Sequence, residues 1–116
     1  MAFQLFEALA QSKFRARFKL DFNDRAYITR VGLARIKAHV YDFIQKRLAP
    51  RDLANDGKQT PFKGHPAFKA QHATATCCRG CLKKWYHIEK NRGLSVEEIN
   101  MVVNTIMTWI GKELDG

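Results

Sequence analysis

Between His65 and His87 the chain gathers most of its metal-ligand chemistry: Cys77, Cys78 and Cys81, which are all of its cysteines, and three of its four histidines, His65, His72 and His87. Cys78 and Cys81 flank Arg79-Gly80, a Cys-x-x-Cys spacing that lets the chain curl until both thiolates reach one zinc ion at about 2.3 Å. One such pair is half a tetrahedron. The remaining ligands must come from His72, His65, His87, His39 or Cys77. His72 ranks first, because it is close in sequence and its segment must fold back onto the cysteines. On one straight helix His65 would lie about 10 Å from His72, so it shares the ion only if the chain bends after Pro66. His87, six residues after Cys81, faces roughly the opposite side of a helix. Cys77 adjoins Cys78, and neighbouring side chains usually point apart. The expected site is therefore Zn2+ on Cys78, Cys81 and His72, with His65 fourth and Cys77 as substitute.

Other chemistries fit less well. A thioredoxin-like redox pair needs a βαβ setting. An iron–sulfur cluster normally takes four cysteines. A zinc deaminase carries a His-x-Glu partner before its cysteines, and none is present. Buried cysteines without a ligand are the plain alternative.

The elements that must position these residues read as helices. Phe3, Phe6, Leu9 and Ala10 mark a first helix over 2–10. In the stretch 14–20 apolar and basic residues alternate. No partner strand is evident, so a helix or extended arm packed by Phe14 and Phe18 is expected, with Arg15, Arg17 and Lys19 as a basic stripe that could contact phosphates. Asn23 or Asp24 can cap a helix burying Tyr27, Ile28 and Val31, and Gly32 breaks it. The spacing of Leu33, Ile36, Val40, Phe43, Ile44 and Leu48 predicts a helix over 33–48, with His39 on the edge of its apolar face. Pro50 ends it. Residues 49–60 form a long loop with a turn at Asn55-Asp56-Gly57, either an ordinary turn or a contact loop beside the metal. Pro66 opens a short helix carrying Phe68 and His72. A second short helix follows Cys81, with Leu82 and Trp85 inward. Ser95 and Glu98 form a capping box, with Leu94 and Ile99 as hydrophobic staple, for a last helix whose stripe includes Val102, Ile106 and Ile110. The fold class is all-α: a small single helical domain over 1–116 with a metal-binding Cys/His segment, and the 33–48 and 96–114 helices packing around Trp109.

The net charge is +9. Residues 1–92 hold 19 Lys and Arg against 7 acidic residues, or +12, and the remainder is −3. A basic body favours a polyanion such as DNA or RNA, or is simply solvated. No apolar run has transmembrane length. The opening residues have an acid and no basic n-region, unlike a secretory signal. Three cysteines, two of them adjacent, do not make a disulfide framework, so a reducing cytoplasm is expected. Nothing in the sequence fixes the oligomeric state.

Asn55-Asp-Gly-Lys-Gln-Thr-Pro61, Gly64-His-Pro66 and Ala70-Gln-His-Ala-Thr-Ala-Thr-Cys-Cys-Arg-Gly-Cys-Leu82 resemble a family of small bacterial and phage proteins catalogued as domain of unknown function 4186. The resemblance extends to Lys13-Phe-Arg15, Phe18-Lys-Leu20, Arg47-Leu-Ala-Pro50 and Trp109-Ile110. It implies that His65, His72, Cys77, Cys78 and Cys81 belong to one motif, and it supplies no activity. The family pattern places a His directly after the Trp. Here Tyr86 follows Trp85 and His87 comes one later, which argues against His87 as a ligand. Two functions follow as expectations: a zinc-stabilised, nucleic-acid-associated binding module with a closed four-ligand site, or a metal-dependent hydrolase or nuclease with an open zinc position.

Overall fold

The computed structural model describes residues 2–53 and 55–115, with side chains from Gln4 onward. Seven helices and no strand occur among them: α1 Ala2–Gln11, α2 Lys13–Ala16, α3 Phe22–Val31, α4 Leu33–Arg47, α5 Pro66–Ala73, α6 Arg79–Tyr86 and α7 Val96–Asp115. The expected packing of the Phe3 side chain lies outside the described side chains.

α4 and α7 pack against each other at the centre. Ile36, Val40, Ile44 and Leu48 from the first segment meet Val102, Val103, Ile106 and Ile110 from the second, all at most 1% exposed. Each such side chain contributes about 1.5–3 kcal/mol by leaving water. α5 lies against the same helix α7, so the Cys/His segment rests on the core. Trp109 belongs to this buried core but not to its centre. It sits at the margin, where it lines a cavity of about 160 Å³ with Phe6, Leu9, Arg15 and Phe18. The repeat of aliphatic residues on α4 and α7 fills the middle without it. Leu33, expected on the buried face, is exposed in the first turn of α4. No described helix is long and apolar enough to cross a membrane.

Local sequence sets the helix ends. Gly32, at φ 88°, adopts a conformation that L side chains rarely take, and it separates α3 from α4. The cap of α3 is Asp21 rather than Asn23 or Asp24. Its carboxylate accepts from the Asp24 N–H at 2.8 Å, and the Asp24 carboxylate accepts from the Asp21 N–H at 3.0 Å. Lys69 bridges to both, tying α3 to α5.

At α7 the predicted capping box is present. Ser95 Oγ accepts from the Glu98 N–H at 3.1 Å, and Glu98 accepts from the Ser95 N–H at 2.9 Å. The Arg92 guanidinium, 2.7 Å from both Glu98 oxygens, holds this carboxyl at about 2, below its ordinary 4.5, against the effect of burial. A lowered pKa contributes stability that is complete above about 4.5 and is lost as the pH falls toward 2. Glu98→Ala should therefore cost about 1 kcal/mol at neutral pH, and the difference should shrink through that acid window. Urea denaturation of both proteins across the acid range checks this. A pH-independent difference would mean that the charge is not involved.

Candidate metal centre

α5 and α6 are joined by a tight turn over residues 74–78, which decides where the thiols go. Ala75 is buried at φ 59°, a left-handed conformation unusual for a residue other than Gly. Several bonds fasten it there. The Thr76 N–H reaches Gln71 O at 2.8 Å, and Gln71 Nε2 donates to Thr76 O at 2.9 Å. Thr60 Oγ1 donates to Cys77 O at 2.7 Å, and the Tyr86 hydroxyl donates to Thr74 O. Beyond the turn, Cys78 is extended and caps α6, its Sγ accepting from the Cys81 N–H at 3.3 Å.

The three sulfurs converge. Cys78 Sγ is 3.2 Å and Cys77 Sγ 3.6 Å from Cys81 Sγ, and all three lie within 4.8 Å of one another. Tetrahedral zinc with bonds of about 2.3 Å sets its sulfurs roughly 3.8 Å apart, so these side chains can hold a metal ion after only small adjustment. Cys77 thus belongs to the cluster with the other two. An extended Cys78 followed at once by helical Arg79 turns both of its cysteine neighbours to one side, which the rule that adjacent side chains diverge does not foresee.

Arg15 enters this cluster from α2. Its Nη2 lies 3.1 Å from Cys81 Sγ, and its Nη1 lies 3.5 Å from Cys77 Sγ and 2.7 Å from His72 O. The basic stripe expected over Arg15, Arg17 and Lys19 is therefore split. Arg15 is buried, whereas Arg17 and Lys19 are exposed. Arg15 lies within the short helix α2 and Arg17, two residues on at its C-cap, points to nearly the opposite side, while Lys19 lies beyond the helix.

His72 is buried on α5. Its Nε2 is 3.1 Å from both Thr60 O and Pro61 O, so that nitrogen carries the proton. Nδ1 is then a lone pair, buried and without a partner. It is not among the three converging donor atoms.

Comparison with known families covers nearly the whole chain: residues 3–111 match the domain of unknown function DUF4186. The chain belongs to this family. No solved structure matches it.

In this DUF4186 chain the other histidines lie apart from the thiols. His65 caps α5, its Nδ1 accepting from the Ala67 N–H at 3.0 Å, while its Nε2 lies 3.2 Å from His39 Nδ1. Tyr27, Phe43 and Phe68 pack around its ring. α5 begins at Pro66 and runs on through His72 without a bend, so the two histidines stay at opposite ends and His65 does not join the thiol group. Burial and the neighbouring His39 hold His65 at about 4, well below its ordinary value. His87 is exposed and terminates α6 at φ 62°.

The 49–60 loop of the DUF4186 chain does reach the site. The Asp56 carboxylate accepts from the Arg79 and Gly80 N–H groups at 2.8 and 3.3 Å, closing the N-terminus of α6. Lys90 lies 3.3 Å from the same carboxylate.

Arg79, which the sequence reading passed over, is 2% exposed. Its guanidinium donates to Leu48 O, Ala49 O, Pro50 O, Glu89 O and Arg92 O. It fastens the end of α4 to the segment before α7, directly behind Cys78.

Charge is organised around Cys81. Hydrogen bonds from the Cys77 and Cys78 thiols pull its pKa down, and Arg15 adds to the effect. Cys77 moves up, through its bonds to Cys78 and Cys81 and through burial. Of the three thiols, Cys81 is thus the one whose ionisation its neighbours favour, with the Arg15 guanidinium beside it. Burial works against the charge of Arg15, and the two sulfurs outweigh it.

Proposed function

We propose that this protein is a zinc protein in which Cys77, Cys78 and Cys81 supply three thiolates and His72 Nδ1 the fourth donor. The convergence of three sulfurs at 3.2–3.6 Å around Cys81 carries the reading. Thiolate and imidazole donors suit zinc among the common divalent ions. The backbone carbonyls on His72 Nε2 give the imidazole the orientation that metal-bound histidines usually have, with the far nitrogen donating and the near one free. Three thiolates on one Zn2+ leave a net negative charge, which Arg15 offsets. Cys77 and Cys78 are 7% and 8% exposed, which favours a closed structural site over an open catalytic one.

The metal would tie α2, α5, α6 and the 49–60 loop into one rigid corner. In this reading the corner belongs to a nucleic-acid-associated binding module. The net charge of +9 supports a polyanionic partner. Zinc-edge X-ray absorption of protein purified without chelator tests the metal assignment. The expected first shell is three sulfurs and one nitrogen.

A further inference from the structure

Beside the metal corner lies an aromatic cluster whose outer members are open to solvent. Phe62 is 57% exposed and Phe14 is 40% exposed. Phe62 lies parallel to the His72 ring at 4.3 Å, which covers one face and leaves much of the ring in solvent. Phe18 is parallel to both, at 5.3 Å from His72 and 6.3 Å from Phe62. Phe14 stands nearly perpendicular to all three. The Arg17 guanidinium lies over Phe14 at 4.8 Å and over Phe18 at 5.4 Å.

The chain segments that build this face are basic, while Glu113 and Asp21 approach its edges beside Lys19 and Lys69. Those segments, residues 8–20 and 57–72, contain no Asp or Glu. Lys13, Arg17, Lys58 and Lys63 are exposed and make no ion pair among the described residues. Open aromatic rings flanked by unpaired cations match the way single strands are held, with bases stacked on rings and phosphates beside basic groups. A duplex hides its bases and would use only the charges.

We propose that Phe62 and Phe14, with Arg17 at their edge, form a stacking face for single-stranded nucleic acid. The proposal rests on the nucleic-acid reading above and names the chemistry of the partner. It also reverses the expectation that Phe14 belongs to the core. His72 links the face to the metal corner, since its ring packs on Phe62.

The test is a fluorescence-anisotropy titration of zinc-loaded protein with labelled oligo(dT) at low salt, beside a matched duplex and vesicles of phosphatidylcholine and phosphatidylserine. Oligo(dT) should bind more tightly than the duplex. Phe62→Leu should weaken oligo(dT) binding roughly five- to hundred-fold, and Phe62→Trp should retain it. Arg17→Ala should lower the salt slope by about 0.7. Zinc content, measured on the same preparations, should not change. Binding that is intact in Phe62→Leu would overturn the stacking face and leave the nucleic-acid reading standing. Phe62-dependent binding to vesicles stronger than to oligo(dT) would assign the face to a membrane surface instead. No binding to any nucleic acid would remove both the face and the nucleic-acid reading, without touching the zinc assignment.

Discussion

Replacing Arg79 with alanine should cost about 3–5 kcal/mol of stability, the largest effect expected outside the metal ligands. The guanidinium donates to five carbonyls, with bonds of 2.7 Å to Glu89 O and Arg92 O and of 3.3–3.4 Å to Leu48 O, Ala49 O and Pro50 O. Two of these oxygens, Glu89 O and Arg92 O, belong to the segment leading to α7. The other three follow α4 and lie at the negative end of its dipole. Truncation would strip all five of this donor; Ala49 O keeps the Leu94 N–H at 2.9 Å, and each acceptor left unmet in the interior costs about 1–3 kcal/mol before any relaxation. Burial lowers the pKa of Arg79, with Arg92 adding to that effect, but an arginine remains charged near neutrality. Arg79→Lys should recover only part of the loss, since an ammonium offers three donors and no planar fork. Urea denaturation gives the numbers. An alanine variant within about 1 kcal/mol of the parent would show that water replaces the guanidinium at little cost.

Cys81→Ser should weaken metal binding more than any substitution outside the ligands. Cys81 is the sulfur common to both short separations, and it also takes the hydrogen bond from Arg15 Nη2. Structural zinc sites contribute about 10–16 kcal/mol over four ligands, so the loss of one thiolate should weaken binding by a factor of about 100 or more. Arg15→Ala should have a smaller effect, about ten- to hundred-fold, because it supports two sulfurs without being a ligand. Arg17→Ala should have none, although both arginines belong to one basic segment. Competition with a chromophoric chelator measures all three. Equal effects for Arg15→Ala and Arg17→Ala would mean that the basic segment acts only through its overall charge. The Cys81→Ser variant should also melt at lower temperature, since zinc bound only to the folded state stabilises it by mass action.

What could be read from the sequence was local. The Ser95–Glu98 box, the Pro66 start of α5, the Gly32 break and the apolar faces of α4 and α7 depend on residues a few positions apart, and the structure has them all. The cysteine cluster was legible as chemistry, with Cys77 only as a substitute ligand, because the turn at Ala75 that brings it in leaves no mark in the spacing. The place of Arg15 was misjudged for a similar reason. Alternation over 14–20 has the same appearance in an arm and in a short helix, and only the packing of α2 beside α5 turns one cation toward the thiols. Arg79 leaves no trace at all in sequence. Its partners are backbone carbonyls from two distant segments, and any residue type supplies a carbonyl.

Zinc-edge X-ray absorption on the purified protein bears most directly on the site. Three sulfurs at about 2.3 Å and one nitrogen at about 2.0–2.1 Å are predicted, with the nitrogen lost in His72→Ala. Two sulfurs or fewer, or protein that carries no metal when prepared without chelator, would contradict the assignment.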